Sequence, residues 1–410
     1  MGGWRRHIIS SMPGRLSRTL RLVLFPFLAV HAFFPATWLI SVVRNGPVPN
    51  DWFHLKVVAD HFVAGDWSRL YAVGEHALNP RYFWRYPPFG LYVVAPLAWL
   101  PEVWAYALLA GVEVVALAAS LWLLRRLEPF RDMRGEWLLA IALSAPALTT
   151  IVTGQSSALI MLCVVGAATL WTRGRVVHAC ALLGLLAIKP NWGIVFGLLA
   201  IVRREWKGAA TMAGVALLLC VLTLPLGLQL WADFLGVSLG NAFALADYDA
   251  QKQITLRGFL EGTLGKGELV LSLWAIAAAG VVLMAALAWR APGPPLRHLG
   301  IGLLLAVAAN PYAFFYDALV LAVPATVWFA ERDRWRPRPW LVVAMLLALA
   351  WCSEQWLYSW GVLSKTAGLS WLPPVSLVGP IAAVWLVLAA RQAIQAPGLS
   401  RVAKHHRGRL

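Results

Sequence analysis

Charged residues are scarce in this sequence, and their scarcity excludes a soluble globular protein. Only 13% of the 410 residues are charged, whereas 60% are hydrophobic and the mean hydropathy is +0.68. A single soluble core cannot bury that much apolar surface, so much of it must face lipid. The alternating ten-residue segments of a transmembrane β-barrel are also missing. The apolar residues fall instead in blocks separated by short basic or Pro- and Gly-containing breaks, which is typical of membrane-spanning helices.

Cysteine is rare as well, and its placement argues against disulfides and metal sites. The sequence shows neither CxxC spacing nor clustered histidines. We therefore predict small buried core residues, no metal site and no cofactor. The four cysteines lie inside or at the ends of apolar blocks: Cys163, Cys180, Cys220 and Cys352.

Negative charge is scarcer than positive charge, with 19 Asp and Glu against 35 Lys and Arg and a net charge of +16. The basic residues form small clusters between apolar blocks rather than a stripe along one helical face, which argues against nucleic-acid binding. We interpret the clusters as topology signals that lie in the cytoplasm. They occupy residues 5–21, 125–134, 173–175, 203–207, 290–298, 332–338 and 401–409.

This assignment leaves one outward and one inward crossing between each successive pair of clusters. The sequence thus predicts an all-α, polytopic transmembrane protein with about 12 crossings and both termini cytoplasmic. Three of the segments, 176–188, 190–202 and 297–310, are short for an untilted crossing, which leaves re-entrant helices open. Residues 87–100 are interpreted as a dipping or interfacial helix. The predicted crossings are 22–43, 102–124, 136–152, 156–172, 176–188, 190–202, 208–226, 268–290, 297–310, 313–330, 340–357 and 373–391.

The same reading divides the chain into a basic N-terminus at 1–21, a single transmembrane domain at 22–391 and a basic tail at 392–410. Two outer segments are long, the first outer loop at 44–86 and the second at 227–267. Loops of this length are commonly functional.

Three ionisable residues stand out on the predicted outer side. Asp51 begins a stretch with helical apolar spacing, so it is either a helix N-cap or a functional carboxylate. Lys189 lies between two apolar runs, where a lysine requires an anion or a water-filled cavity unless it reaches the headgroups. Asp317 either neutralises Lys189 or Arg257 or takes part directly.

The order of these residues and their neighbours resembles glycosyltransferase family 87, which includes polyprenol-phosphate-mannose-dependent α-mannosyltransferases. The resemblance extends over most of the chain, and the ordered set is more specific than any single motif. It is carried by Asp51, Tyr86-Pro87-Pro88, Gly154-Gln155, the run from Gly184 to Pro190, Arg203-Arg204, Asn310-Pro311 and Tyr316-Asp317.

The resemblance implies a GT-C type fold and a glycosyltransferase of the bacterial inner membrane, with its active site facing the periplasm or exterior. The implied donor is a polyprenyl-phosphate-linked sugar, a mannose-like hexose or a pentose. The implied acceptor is a cell-envelope glycolipid or polysaccharide. One carboxylate base and direct displacement would invert the anomeric configuration, with no nucleotide or obligatory metal.

Roles follow for the matching residues. Asp51 is the expected catalytic base, because an acceptor hydroxyl needs a carboxylate within reach to take its proton. Lys189 is the first choice for binding the donor phosphate, followed by Arg257 and Lys252, since the leaving group gains negative charge. The expected substrate pocket is lined by Tyr86, Gln155, Tyr316, Asp317 and His54.

A multi-pass transporter or lipid flippase is the alternative, because twelve or so crossings with both ends inside also suit that class. Transporters tend to have related halves with interrupted helices in matching positions. The long polar loop after the first crossing has no counterpart in the second half, which favours the enzyme. A third interpretation is a non-catalytic subunit of an envelope assembly, but no feature of the sequence indicates it.

Overall fold

A computed structural model describes residues 51–71, 84–127, 135–243, 252–330 and 376–395, together with positions 37, 40 and 44. Within these ranges the chain is helical and has no strand, apart from an isolated antiparallel bridge between Gln253 and Phe314. The predicted all-α class is confirmed for this part of the chain. The number of crossings and the side on which the termini lie stay predictions. The predicted crossing 340–357 and most of 22–43 lie outside the described residues.

The described α-helices are numbered in chain order. They are α1 (Asp51–Val63), α2 (Gly90–Val94), α3 (Glu102–Arg126), α4 (Gly135–Ala142), α5 (Ala145–Thr153), α6 (Ser157–Thr172), α7 (Val176–Gly184), α8 (Pro190–Val202), α9 (Trp206–Leu222), α10 (Leu228–Phe243), α11 (Leu256–Leu264), α12 (Glu268–Trp289), α13 (Pro295–Ala308), α14 (Ala322–Ala330) and α15 (Val378–Gln395). Short 3₁₀ segments occur at Trp67–Arg69, Ala95–Trp99, Leu185–Ile188, Leu224–Leu226 and Phe315–Leu321.

Within the described ranges, three helices are long and apolar enough to cross a membrane: α3, α12, and α9 with its 3₁₀ continuation to Leu226. They contain 25, 22 and 21 residues, respectively, and correspond to the predicted crossings 102–124, 268–290 and 208–226. Between 11% and 28% of their most apolar stretches is buried inside the protein, as expected for helices that face lipid. A bent pair formed by α5 and α6 passes the same test as a fourth candidate.

The predicted crossing 136–152 is occupied by two helices rather than one. Helix α4 ends at Ala142, and α5 begins at Ala145. Ser144 is the N-cap of α5, where its hydroxyl accepts a hydrogen bond from the backbone N–H of Ala147. Pro146 in the first turn suits a helix start, because its missing N–H would be unpaired there anyway. This pair of start signals divides the apolar block.

Several other helices are shorter than the roughly 20 residues that a straight crossing needs. Helices α7, α8 and α13 belong to this class, as do Phe315–Val327 and Val378–Ile394. The segment Gly90–Trp99 is equally short, in agreement with a dipping helix over 87–100. The segment 227–267, predicted as the second outer loop, is largely helical where it is described, since α10 and α11 occupy much of it.

Helix α13 forms the centre of the larger core. Nearly all of its residues are buried, and it packs against α8, α12, α14 and α15. At its N-terminal end, Arg203 Nη1 donates to the carbonyl of Trp289 at 3.0 Å and lies 2.9 Å from His298 Nε2. The guanidinium therefore joins the ends of α8, α12 and α13, and it satisfies a carbonyl at the C-terminus of α12.

The junction of α5 and α6 turns through 116°. Gly154 ends α5 with a φ of 68°, a left-handed conformation that favours glycine. A Cβ atom at this position would lie 2.8 Å from Cβ of Trp52. The turn thus needs glycine both for its backbone conformation and for close contact with α1.

Gly154→Ala is expected to lower the free energy of unfolding by more than Gly174→Ala does. Gly174 also has a left-handed φ, 76°, but a Cβ there meets no atom within 4 Å. Backbone strain of about 1–3 kcal/mol applies to both variants, whereas overpacking adds about 1–3 kcal/mol only at Gly154. Thermal unfolding in detergent, followed by tryptophan fluorescence, measures the difference. Equal shifts in the two variants would show that contact with Trp52 does not constrain the turn.

Candidate active site

The bend between α5 and α6 is the structural centre of the site. The backbone N–H of Gln155 returns to the carbonyl of Thr150 at 3.1 Å and closes the end of α5. Helix α6 then begins at Ser157 in a new direction. The first N–H groups of a helix have no partner inside that helix, so they require acceptors from elsewhere. Side chains from α1, α3 and the segment before α14 converge on this bend.

Asp51 is the first residue of α1, and the bend anchors its carboxylate. Gln155 Nε2 donates a hydrogen bond to Asp51 Oδ2 at 2.7 Å. The neighbouring Trp52 is fully buried, and its ring lies 5.4 Å from that of Tyr106. A fixed backbone and an amide donor together orient a half-buried carboxylate. Asp51 thus has a tertiary partner in addition to its place at the start of a helix.

Lys189 forms a buried ion pair with Asp317, as one of the sequence alternatives predicts. The distance between Lys189 Nζ and Asp317 Oδ1 is 3.2 Å, and the side chains are 13% and 4% exposed. Asp317 Oδ1 also accepts from Ser157 Oγ at 2.9 Å, and Oδ2 accepts from the backbone N–H of Phe314 at 3.1 Å. These bonds hold the ammonium inside the protein, which does not fit a lysine that reaches to the headgroups.

Tyr316 contacts the Lys189 ammonium and interacts electrostatically with the Asp51 carboxylate. Its ring centroid is 5.9 Å from Lys189 Nζ, and its carbonyl accepts from Thr150 Oγ1 at 3.3 Å. The hydroxyl is close enough to interact electrostatically with Asp51 and Tyr86. Tyr316 therefore connects two ionic groups that are more than a hundred positions apart in the sequence.

Tyr86 is held from the side of α10. Its carbonyl accepts a hydrogen bond from the hydroxyl of Tyr71 at 2.8 Å, and its ring packs 4.8 Å from Trp84. The ring of Tyr71 also packs against Phe234 of α10 at 6.0 Å. Burial raises the pKa of Tyr71, so its hydroxyl remains a proton donor at every physiological pH. These contacts fix the corner that precedes Pro87 and Pro88.

Arg257 is less directly associated with this group. It is 2% exposed, and its Nε donates to Glu261 Oε1 at 2.6 Å within α11. The segment before it docks beside the site, because the N–H of Ile254 donates to the carbonyl of Ala313 at 2.9 Å. Lys252 is exposed at the start of this segment. Asp317 is thus paired with Lys189, and Arg257 is paired with Glu261.

His54 lies one turn beyond Asp51 on α1 and is half-buried. Its ring contacts Phe53 at 6.5 Å. Among the predicted site residues, Asp51, Tyr86, Gln155, Lys189, Tyr316 and Asp317 are joined by hydrogen bonds, ring contacts or short-range electrostatics. Arg257, Lys252 and His54 flank this group.

Sequence reasoning missed one buried carboxylate at the bend. Glu113 is 3% exposed near the middle of α3, and its Oε2 accepts from the backbone N–H of Ala158 at 3.0 Å. A lone acid inside an apolar run is a signal that could have identified it. Asn310 was cited only as part of a motif, yet its Oδ1 accepts from Asn191 Nδ2 and from the N–H of Tyr312, both at 3.1 Å.

The arrangement combines an oriented carboxylate, a buried ammonium and aromatic rings. Such a set can accept a proton and stabilise an anion. Among the residues that the structure describes, no group of three or more His, Cys, Asp and Glu side chains could hold a metal ion.

Comparison with known proteins gives a family match over the middle of the chain. The model of glycosyltransferase family 87 matches residues 84–311. Curated proteins and solved structures gave no match. The matched range contains Tyr86, Gln155 and Lys189, whereas Asp51 lies well before it and Asp317 lies shortly after it.

A double-mutant cycle is expected to reveal strong coupling between Lys189 and Asp317. Lys189→Met or Asp317→Leu alone leaves a buried charge unpaired, which costs about 3–5 kcal/mol of unfolding free energy. The double variant should lose less than the sum of the two single variants. The pair Lys56 and Asp60, at 2.6 Å, is the control, because its aspartate is 47% exposed although its lysine is only 11% exposed, and a smaller coupling is expected. Unfolding in mixed detergent micelles measures each variant, and additive losses at Lys189 and Asp317 would contradict the buried pair.

Proposed function

The chain belongs to glycosyltransferase family 87, and we propose that this membrane glycosyltransferase transfers a sugar from a polyprenyl-phosphate donor to a cell-envelope acceptor on the extracytoplasmic face. Family membership makes the protein a transferase and does not favour the transporter alternative. The observation that carries the finer proposal is the grouping of the Asp51 carboxylate, held by Gln155, with the Lys189–Asp317 pair around Tyr316.

Asp51 acts as the general base in this proposal. Gln155 binds one carboxylate oxygen at 2.7 Å and sets the orientation of the group. The acceptor hydroxyl oxygen attacks the anomeric carbon of the donor sugar, and its proton passes to Asp51. A base in this role must reach the hydroxyl by a hydrogen bond.

Lys189 stabilises the leaving group. As the bond between the anomeric carbon and the phosphate oxygen breaks, its electron pair moves to that oxygen, and the lipid phosphate gains negative charge. A lysine ammonium has three N–H donors, and Asp317 accepts one of them at 3.2 Å. A pre-positioned cation at this point binds the donor phosphate before the reaction and also stabilises the negative charge that develops in the transition state. Direct displacement inverts the anomeric configuration.

The flanking residues take secondary roles. Arg257 and Lys252 are further candidates for phosphate contact, with Arg257 the weaker because Glu261 already neutralises it. Tyr86, Tyr316 and His54 border the space for the sugar and the acceptor. The donor sugar is a mannose-like hexose or a pentose, and the acceptor is a glycolipid or polysaccharide of the bacterial envelope.

Asp51→Asn is expected to reduce sugar transfer about 100- to 10,000-fold, the usual contribution of a positioned general base. The amide cannot take the acceptor proton, although it can still bond to Gln155. Transfer is measured with a radiolabelled polyprenyl-phosphate sugar in vesicles that contain the purified protein. Asp60→Asn is the matched control, because Asp60 is exposed on the same helix and pairs with Lys56. Near-normal turnover of the Asp51 variant would remove Asp51 from the base role.

Cysteine labelling is expected to locate the first outer loop outside the cell. In a variant whose native cysteines are replaced by serine, Ser68→Cys should react with a membrane-impermeant maleimide in intact cells. Arg175→Cys, in a basic cluster assigned to the cytoplasm, should react only after permeabilisation. The reverse pattern would contradict an extracytoplasmic site.

A further inference from the structure

Glu113 is a buried ionisable residue that the mechanism above does not use. Helix α3 has 25 residues, and Glu113 lies near its middle with 3% exposure. A carboxylate in the interior of a membrane-spanning helix is costly unless it is paired or hydrogen-bonded, and such residues commonly mark function.

The carboxylate of Glu113 meets the N-terminus of another helix. Its Oε2 accepts from the N–H of Ala158, the second residue of α6, at 3.0 Å. Ser156 is the N-cap of α6, and within the described residues its side chain makes no capping hydrogen bond. Glu113 therefore supplies the cap from α3, where the positive end of the helix dipole also favours a carboxylate.

The capped turn of α6 also contains Ser157, which supports the ion pair between Asp317 and Lys189. Ser157, which directly precedes Ala158, donates to Asp317 Oδ1 at 2.9 Å, and Asp317 pairs with Lys189. Of these two consecutive residues of α6, Ser157 thus bonds to Asp317 and Ala158 bonds to Glu113. Glu113 and Lys189 are also close enough to interact electrostatically.

We propose that Glu113 is a positioning residue that caps α6 inside the protein and thereby holds Ser157, Asp317 and Lys189 in the arrangement that binds the donor phosphate. The capping step depends only on the contacts of α3 with α6. The link to donor phosphate rests on the proposed function, so the two steps are tested by different measurements.

Three substitutions separate the hydrogen bond from the charge. Glu113→Gln retains an acceptor oxygen and removes the acidic group. Glu113→Asp retains the acidic group, but its shorter side chain places the carboxyl oxygens farther from the N–H of Ala158. Glu113→Leu removes both at similar size. Ser120→Ala is the matched control, because Ser120 is buried on the same helix and donates to the carbonyl of Ala116 at 2.7 Å.

Hydrogen–deuterium exchange of the full chain in lipid nanodiscs tests the cap without any substrate. Peptides that cover residues 154–160 should exchange roughly five-fold faster in Glu113→Leu, the factor that corresponds to a lost helix cap. Glu113→Asp should show a smaller increase, and Glu113→Gln and Ser120→Ala should match the wild type. Peptides from α12 serve as an internal reference. Unchanged exchange at 154–160 in the Leu and Asp variants would overturn the proposal, and if Glu113→Leu does not fold, the Asp and Gln variants decide.

Transfer kinetics test the link to the donor. Loss of position around Lys189 should raise KM for the polyprenyl-phosphate donor roughly tenfold in Glu113→Leu, with a smaller change in kcat and with rescue by Glu113→Gln. A purely structural defect would lower kcat through loss of active protein and leave KM unchanged, which would overturn the link. A Gln variant as impaired as the Leu variant would show that charge rather than capping matters. If the wild type transfers no sugar from this donor, the proposed function fails while the exchange experiment still decides the cap.

Discussion

The backbone N–H groups at the start of α6 impose the main constraint on this structure, because α6 begins at a sharp bend within an apolar block. A helix that begins at such a place needs acceptors that lipid cannot provide. Here the bend at 154–156 collects side chains from distant parts of the chain. Gln155 binds Asp51, Ser157 binds Asp317, and the N–H of Ala158 binds a carboxylate of α3. One backbone N–H of α6 and two side chains beside it thus assemble the polar centre at this bend.

Charge pairing is the second constraint, and it explains why the ionic groups lie where they do. Lys189 and Asp317 are both nearly buried, and neither could remain there alone without a large loss of stability. Glu261 neutralises Arg257 in the same way beside the site. Lys189 and Arg257 thus each have a carboxylate partner, so an incoming anion meets charges that are already compensated. In the proposed reaction, the phosphate of the sugar donor then competes for N–H groups already oriented by the protein, which favours geometric recognition over simple attraction.

The sequence predicted the features that follow from the free-energy cost of placing a charge within the membrane. Lys189 stood out as a lysine at membrane depth, Asp317 as its plausible partner, and both are joined in the structure. The apolar block predicted as the crossing 136–152 is divided into two helices, because Ser144 supplies a helix start that hydropathy does not register. The hydrogen bonds around the bend could not be foreseen, since they depend on a 116° turn that only tertiary packing defines. Glu113 was detectable, because a single acid in an apolar run is conspicuous.

The wide sequence separation of the ion pair has a consequence for how the protein is made. Lys189 is synthesised and enters the bilayer long before residue 317 exists, so for much of biogenesis its ammonium lacks the carboxylate that later neutralises it. Until then the lysine must be tolerated by water, by headgroups or by the insertion machinery. Once the segment Phe315–Leu321 has been synthesised, its Asp317 can neutralise Lys189 and complete the polar centre. The ion pair can therefore form only late in synthesis, once both of its partners are present.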